Sequence, residues 1–139
     1  MRKLLIAVAV LVAIPVVFYV GMRILWETSG EVAAVRTFDA AGEPHDTHLW
    51  IVDVGSHAYL RTGNANAKWL ARMREHPAIE VTRHGVTANV VAMPTDDPEL
   101  RAEVNAAVAE KYGFAEAVLR KLMLDPNATT SIRVDPTGQ

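Results

Sequence analysis

Cysteine is absent from this sequence of 139 residues, and neither sign of charge is in clear excess. Without thiols the chain cannot form disulfide bonds, thiolate zinc sites or cysteine-ligated iron–sulfur clusters, and it has no cysteine nucleophile. The 14 basic and 16 acidic side chains give a formal charge of −2, which argues against nucleic-acid binding because such proteins usually carry a basic excess. Hydrophobic residues make up 50% of the chain and charged residues 22%, which excludes a disordered chain and predicts one domain.

The apolar residues are concentrated in one N-terminal run. The range 4–22 contains nineteen residues without a charge, which is about 28 Å of helix at ~1.5 Å per residue, close to the ~30 Å hydrocarbon core of a membrane. The sequence therefore predicts a transmembrane helix as a membrane anchor over residues 1–26 and a domain over residues 27–139. A cleaved signal peptide and a buried core helix are the alternatives. Because Arg2 and Lys3 favour a cytoplasmic N-terminus, we expect a single-pass protein of the cell membrane with an extracytoplasmic domain.

After the apolar run, strand-like and helix-like patterns alternate along the chain. Alternating and β-branched segments predict six strands, at residues 31–38, 45–54, 57–61, 78–83, 86–93 and 129–135. Helical spacing predicts three helices, at residues 67–76, 98–112 and 114–124. We expect Asn66 and Asp97 to cap the first two of these helices, and Gly113 to end the second in the left-handed conformation.

Short turns connect neighbouring strands in this pattern. Gly55-Ser56 and His84-Gly85 each predict a hairpin, and no strand–helix–strand repeat indicates a parallel sheet. The expected fold class is therefore α+β, a small antiparallel β-barrel flanked by helices.

The segment from Arg61 to Trp69 leaves a strand, passes through a glycine and enters a helix. Backbone N–H groups at such a helix start, with Arg61 and Lys68 nearby, are able to hold a phosphate group. The alternative is an ordinary strand-to-helix turn whose Arg and Lys are solvated, since the segment matches no strict phosphate-loop motif.

Other candidate chemistry is sparse. His45 and His48 are three residues apart in a strand, where they face opposite sides, so we predict no metal site. His48 and Trp50 share a face and are able to line a pocket. No serine lies in a nucleophile-elbow motif, and catalytic residues are left unassigned.

The order of motifs resembles the split β-barrel group that includes pyridoxamine-phosphate-oxidase-like flavoproteins and deazaflavin-dependent nitroreductases. The resemblance extends from Val32 to Pro136 and is carried by five short motifs. These are Gly42-Glu43-Pro44, the strand at 48–52, Tyr59-Leu60-Arg61-Thr62, Lys68-Trp69-Leu70 and the segment at 76–81.

The resemblance implies a split β-barrel and a homodimer with FMN or a deazaflavin in a groove at its interface. By position, it implies that Arg61, Thr62, Asn64 and Lys68 bind the phosphate or polar tail. His48 and Trp50 would lie near the ring of the cofactor.

Three functions follow from these residues. The first is a membrane-tethered oxidoreductase that uses the flavin or deazaflavin to reduce a small quinone-like or nitro substrate by hydride transfer. The second is a cofactor-free module that binds a small ligand or a partner protein. The third is a haem-binding split barrel that uses His48 or His57. For the first, replacing Arg61 and Lys68 with Ala is expected to abolish cofactor binding without unfolding the protein.

Overall fold

The computed structural model describes residues 1–28, 30–122 and 125–138. Contacts divide the chain into two compact units, Met1–Gly30 and Glu31–Gln139. The first unit contains helix α1 (Arg2–Thr28), with Pro15 in its interior. The second unit contains all the strands and the remaining helices.

The N-terminal unit corrects one prediction. A membrane span needs about 20 consecutive, predominantly apolar residues in one helix. Within the described ranges, no helix is both long enough and apolar enough to cross a membrane. The transmembrane anchor predicted over residues 1–26 is therefore wrong. The predicted single-pass location in the cell membrane, with a cytoplasmic N-terminus and an extracytoplasmic domain, is wrong with it.

The second unit is a closed six-stranded antiparallel barrel. Around the barrel the strands follow the order β1-β2-β3-β6-β5-β4, and β4 pairs back onto β1. The strands are β1 (Val32–Phe38), β2 (Pro44–Val54), β3 (His57–Thr62), β4 (Ala78–Arg83), β5 (Val86–Thr95) and β6 (Thr130–Pro136). The predicted α+β class, with six antiparallel strands and flanking helices, is confirmed.

The two predicted hairpins join β2 to β3 and β4 to β5. In the second hairpin both turn residues have positive φ, 48° at His84 and 79° at Gly85. Positive φ at both central residues is typical of the turn whose twist matches that of the flanking strands. The local sequence therefore sets these two connections.

Alternation along the strands divides the apolar side chains between two cores. Inward side chains such as Val35, Leu60 and Ile132 fill the barrel, together with Leu70 and Met73 of helix α2 (Lys68–Glu75). Helix α2 connects β3 to β4 and closes one end of the barrel with these two side chains. The predicted cap of this helix is wrong by one residue, because Ala67 occupies the cap position and has no side-chain hydrogen bond.

The second core lies between the outside of the barrel and helix α3 (Pro98–Leu122). Val52 and Tyr59 on the outer face of β2 and β3 pack with Val104 and Val108 of this helix. Asp97 caps the start of α3 as predicted, accepting a hydrogen bond of 2.9 Å from the Glu99 N–H.

Helix α3 is interrupted in the middle, as the sequence predicts. Gly113 has φ 49° and ψ −114°, so two helical segments meet at a kink rather than forming one straight helix. Residues with a Cβ rarely adopt positive φ, which explains the glycine at this position. Leu124, the predicted end of the second segment, lies outside the described residues.

Candidate functional site

The end of the barrel opposite α2 contains a cavity of about 670 Å³. It is surrounded by the β2–β3 turn, the strands next to the β4–β5 turn and the end of β6. Its walls are apolar, and its polar groups come from both hairpins and from β6. The apolar lining includes Ile51, Val81, Ala88, Val90 and Val134, and the polar lining consists of Asp53, Ser56, His57, Arg83 and Asp135.

Strand periodicity explains why charged residues enter this cavity. Ile51 points into the barrel, so Asp53, two residues further along β2, lies on the same face at the rim. Val81 and Arg83 have the same relation on β4. Each strand therefore changes from an apolar to a charged inward residue where the barrel opens to solvent.

Arg83 is the centre of an ion-pair network beside the cavity. Its Nη1 and Nη2 donate to the two carboxylate oxygens of Asp53 at 2.9 and 3.0 Å. Its Nε and Nη2 donate to Glu31 at 2.6 and 2.8 Å. Lys111 of α3 adds a second cation, with Nζ 2.7 Å from a Glu31 oxygen. The network ties β4 to β2, to the residue before β1 and to α3.

The same contacts set the ionisation of the two carboxylates. Hydrogen bonds from Arg83 are the largest influence on Glu31 and, with Lys111, lower its pKa to about 2 against the opposing effect of burial. The Arg83 guanidinium also holds the pKa of Asp53 below its ordinary value. Both groups are therefore charged at neutral pH, and the rim of the cavity carries fixed charges of both signs.

The lowered pKa of Glu31 predicts an acid-sensitive contribution to stability. The folded state binds the Glu31 proton less tightly than the unfolded chain, so the contribution is complete above pH 4.5 and is lost as the pH falls towards 2. We expect this loss to be on the order of 3 kcal/mol in the free energy of unfolding.

Urea unfolding of the wild type and of Glu31→Gln between pH 7 and pH 2 measures this contribution. The variant is expected to show a flatter pH dependence, whereas Glu103→Gln, on the exposed side of α3, should follow the wild type. Parallel curves for Glu31→Gln and the wild type would contradict the assignment to Glu31.

A second polar pair lies at the same end of the barrel, among the residues that border the cavity. His57, the first residue of β3, has Nδ1 2.9 Å from a carboxylate oxygen of Asp135 on β6. The other oxygen of Asp135 lies 2.9 Å from Nε of Arg133. The His57 side chain is 43% exposed and Asp135 is 26% exposed, and both residues lie on the outer face of their strands with Tyr59 and Arg133.

The sequence-predicted ring residues, His48 and Trp50, lie on the outside of the barrel rather than at this cavity. They share a face of β2 as expected, with His48 exposed. Trp50 stacks on Tyr112 of α3, with ring centroids 4.3 Å apart and an angle of 10° between planes. The Tyr112 hydroxyl also contacts the Ile51 backbone, accepting from its N–H at 3.1 Å.

Arg61, the first predicted phosphate ligand, forms a buried ion pair beneath α3. Its Nη1 and Nη2 donate to the carboxylate of Glu116 at 2.8 and 2.6 Å, and Nη1 also donates to Asn105 Oδ1 at 3.1 Å. The Arg61 side chain is 7% exposed and that of Glu116 is 3% exposed. Arg61 therefore holds α3 to β3.

The other predicted phosphate ligands lie in the turn between β3 and α2. The Thr62 hydroxyl accepts from the Asn64 N–H at 3.0 Å, and the Asn64 side chain accepts from the Asn66 N–H at 2.9 Å. Lys68 is exposed at the start of α2. These hydrogen bonds shape the turn, and binding of a phosphate by this group remains a prediction.

Sequence reasoning did not identify most of the cavity residues as a site. Asp53, Arg83 and Asp135 were read as ordinary strand residues, and only His57 was named, as a haem ligand. One signal was available: Asp53 shares the inward face of β2 with Leu49 and Ile51. A charged residue on an inward face indicates either a buried partner or an opening in the barrel.

Comparison with solved structures places this barrel in a known class. A conserved hypothetical protein from Mycobacterium tuberculosis matches with a TM-score of 0.63 and 21% identity, covering 78% of this chain and 74% of that chain. The haem storage protein HutZ from Vibrio cholerae matches with a TM-score of 0.62 and 16% identity, covering 86% and 89%. A putative pyridoxamine 5′-phosphate oxidase from Listeria innocua matches with a TM-score of 0.58 and 14% identity, covering 83% and 89%.

These neighbours are split-barrel proteins of the pyridoxamine-phosphate-oxidase type, so the resemblance seen in the sequence is confirmed for the fold. At these identities the likeness establishes the fold alone. The chain itself belongs to the family described as an uncharacterized protein conserved in bacteria, DUF2255, which matches residues 27–134. No curated protein sequence matches the chain.

Proposed function

We propose that this protein binds a planar cofactor of the flavin or haem type in the cavity at the open end of its barrel. The observation that carries the proposal is the cavity itself. Its volume of about 670 Å³ lies within the range of ~300–1,000 Å³ that is usual for small-molecule sites. Apolar walls with a few polar groups at the rim suit a flat ring that is buried along its faces and oriented at one edge.

The printed names of the structural neighbours support this class of ligand. One neighbour is named as a putative pyridoxamine 5′-phosphate oxidase and another as a haem storage protein. A flavin or deazaflavin would allow hydride transfer to a small quinone-like or nitro substrate, with the protein supplying position and electrostatics. Cofactor-free binding of another small ligand is the competing function.

The cavity and the outer face are two different locations for the cofactor. Arg61 is committed to Glu116, and Trp50 is stacked on Tyr112, so α3 covers the part of the outer face that the sequence predicted to bind the ring. Lys68 is exposed and remains the simplest probe of the predicted phosphate site. The cavity has open volume, and we therefore favour it.

The test is a titration of the full chain with FMN, a deazaflavin and haem, followed by absorbance and fluorescence. Ala88→Phe places a ring inside the cavity at an exposed position and is expected to weaken binding by at least about 100-fold. Asn89→Phe is the matched control, because it makes the same ring addition on the neighbouring residue of β5, which faces away from the cavity.

Each outcome decides between the two locations. Loss of binding in Ala88→Phe alone supports the cavity. Loss of binding in Lys68→Ala, with Ala88→Phe unaffected, would overturn the cavity in favour of the predicted phosphate site. If none of the three cofactors binds at micromolar concentration, the proposed function fails and the competing function takes its place. The same samples allow the predicted homodimer to be measured by sedimentation.

A further inference from the structure

We propose that the outer face of helix α3 is an interaction surface and that its partner is the α3 helix of a second copy of this chain, bound antiparallel. Each half of this helix presents a face that complements the other half, so two copies related by a twofold axis make the same contact twice. The inference goes beyond the proposed function and needs no ligand, because the described lining of the cavity contains no residue of α3.

The kink at Gly113 divides α3 into two segments, and each segment turns one side towards the barrel. Val104 and Val108 of the first segment are buried, as are Ala115 and Glu116 of the second. Because an α-helix has 3.6 residues per turn, the residues on the opposite side of each segment point to solvent. Each segment therefore has an outer face that is available to a partner.

The outer face of the first segment combines negative charge with small side chains. We call it the acidic face, and its exposed members are Glu99, Ala102, Glu103, Ala106 and Glu110. The two alanines leave space between the glutamates for a large apolar side chain of a partner.

The outer face of the second segment combines apolar side chains with positive charge. Phe114 and Leu122 are 70% and 72% exposed, and with the half-buried Val118 they form one stripe at a spacing of four residues. Arg120 and Lys121 are exposed beside this stripe, and we call the five residues the basic face. Exposed apolar groups concentrated in this way are typical of a protein–protein contact.

Charge identifies the partner as a second copy in antiparallel orientation. Antiparallel pairing brings the basic face of each copy onto the acidic face of the other, with the Phe114 ring against small side chains. Parallel pairing would set each face against its own equivalent, and like charges in contact oppose association. Within the described residues the charged groups of both faces form no ion pair inside the chain, so they are available to the second copy.

The experiment is sedimentation equilibrium of the full chain over a series of concentrations. The wild type is expected to form a dimer whose dissociation constant rises with salt. Phe114→Ser should raise this constant at least about 100-fold, because the twofold axis repeats the loss. One charge-reversed variant combines Glu99→Lys with Glu103→Lys, and the other combines Arg120→Glu with Lys121→Glu. Each alone should be monomeric where the wild type is dimeric.

A mixture of the two charge-reversed variants gives the sharpest result. In the mixture each altered face meets a face of opposite charge, so we expect a heterodimer with a dissociation constant within about 10-fold of the wild type. Arg74→Glu and Glu75→Lys, both at exposed positions of α2, are the matched controls and should each dimerise like the wild type. Glu103→Gln remains a control for Glu31 when unfolding is measured below the dissociation constant, where the outer face of α3 is solvated.

Three results would overturn the proposal. The first is a wild-type chain that stays monomeric at every concentration. The second is a dimer that both charge-reversed variants retain, which would assign the contact to another surface, such as the exposed apolar side chains of α1. The third is a mixture in which the two variants, each monomeric alone, do not associate. Circular dichroism of every variant checks that the barrel and α3 remain folded.

Discussion

Replacing Glu116 with Gln is expected to lower the free energy of unfolding by about 3–5 kcal/mol, which is a large part of the stability of a domain of this size. The reason is the burial of its partner. Arg61 is 7% exposed and uses both terminal nitrogens on the Glu116 carboxylate, so the substitution leaves a cation without a counter-charge in a place that water does not reach. Arg61→Ala is expected to lower the free energy of unfolding by a similar amount, because it leaves the buried Glu116 carboxylate without a counter-charge.

Urea unfolding at pH 7 measures both changes, and two variants serve as controls. Arg61→Met combined with Glu116→Leu removes both charges and should recover most of the lost stability, because an apolar pair avoids the cost of desolvation. Lys68→Ala, at an exposed position, should change stability by no more than about 0.5 kcal/mol. A small effect of Glu116→Gln, within that same limit, would contradict the structural role of the pair.

The Arg61–Glu116 ion pair also affects the interpretation of any mutational test of the predicted phosphate site. The sequence suggested that replacing Arg61 and Lys68 with Ala would abolish binding without unfolding the protein. Because Arg61 holds α3 to the barrel, the double variant is expected to lose stability whether or not a phosphate binds. Lys68→Ala alone separates the two effects.

Prediction from the sequence was most accurate for features that depend on residues close together in the chain. Alternation along each strand, the turns at Gly55-Ser56 and His84-Gly85, and the kink at Gly113 depend on residues within a few positions of each other. They were all predicted within a few residues of their observed places. The barrel follows from them, since six strands joined by short turns without parallel crossovers close most simply as an antiparallel sheet.

The candidate site depends on contacts between distant parts of the chain. Arg61 and Glu116 are 55 positions apart, Arg83 and Glu31 are 52 apart, and His57 and Asp135 are 78 apart. A lone arginine at the end of a strand gives no sign of whether its partner is a phosphate or a buried glutamate. The apolar stripe of α3 indicates that the helix packs on something, but not that it covers the outer face of β2.

Tyr112 provides the second large effect, because one side chain joins α3 to the barrel in two ways. Its ring stacks on Trp50, and its hydroxyl meets the Ile51 backbone, accepting from the N–H at 3.1 Å and lying 2.8 Å from the carbonyl oxygen. Tyr112→Ala removes both and should cost about 3–5 kcal/mol of unfolding free energy. Tyr112→Phe keeps the ring and should cost about 1–3 kcal/mol, since the buried N–H of Ile51 loses its partner.

The pH dependence of unfolding identifies the hydroxyl as the cause. Burial raises the pKa of Tyr112 to about 12, whereas the ordinary pKa of tyrosine is 10. Between pH 10 and pH 12 the phenol therefore stays protonated in the folded state but loses its proton in the unfolded chain. The contribution is therefore complete below pH 10 and is lost as the pH rises towards 12. The stabilities of wild type and Tyr112→Phe should approach each other over this range, while Tyr19→Phe, in the N-terminal unit, should leave the dependence of stability on pH unchanged.

A constant difference in stability between wild type and Tyr112→Phe up to pH 12 would mean that the hydroxyl does not stabilise the protein through these backbone contacts. Since Ile51 also lines the cavity, a confirmed result would make Tyr112 the link between the packing of α3 and the wall of the proposed binding site.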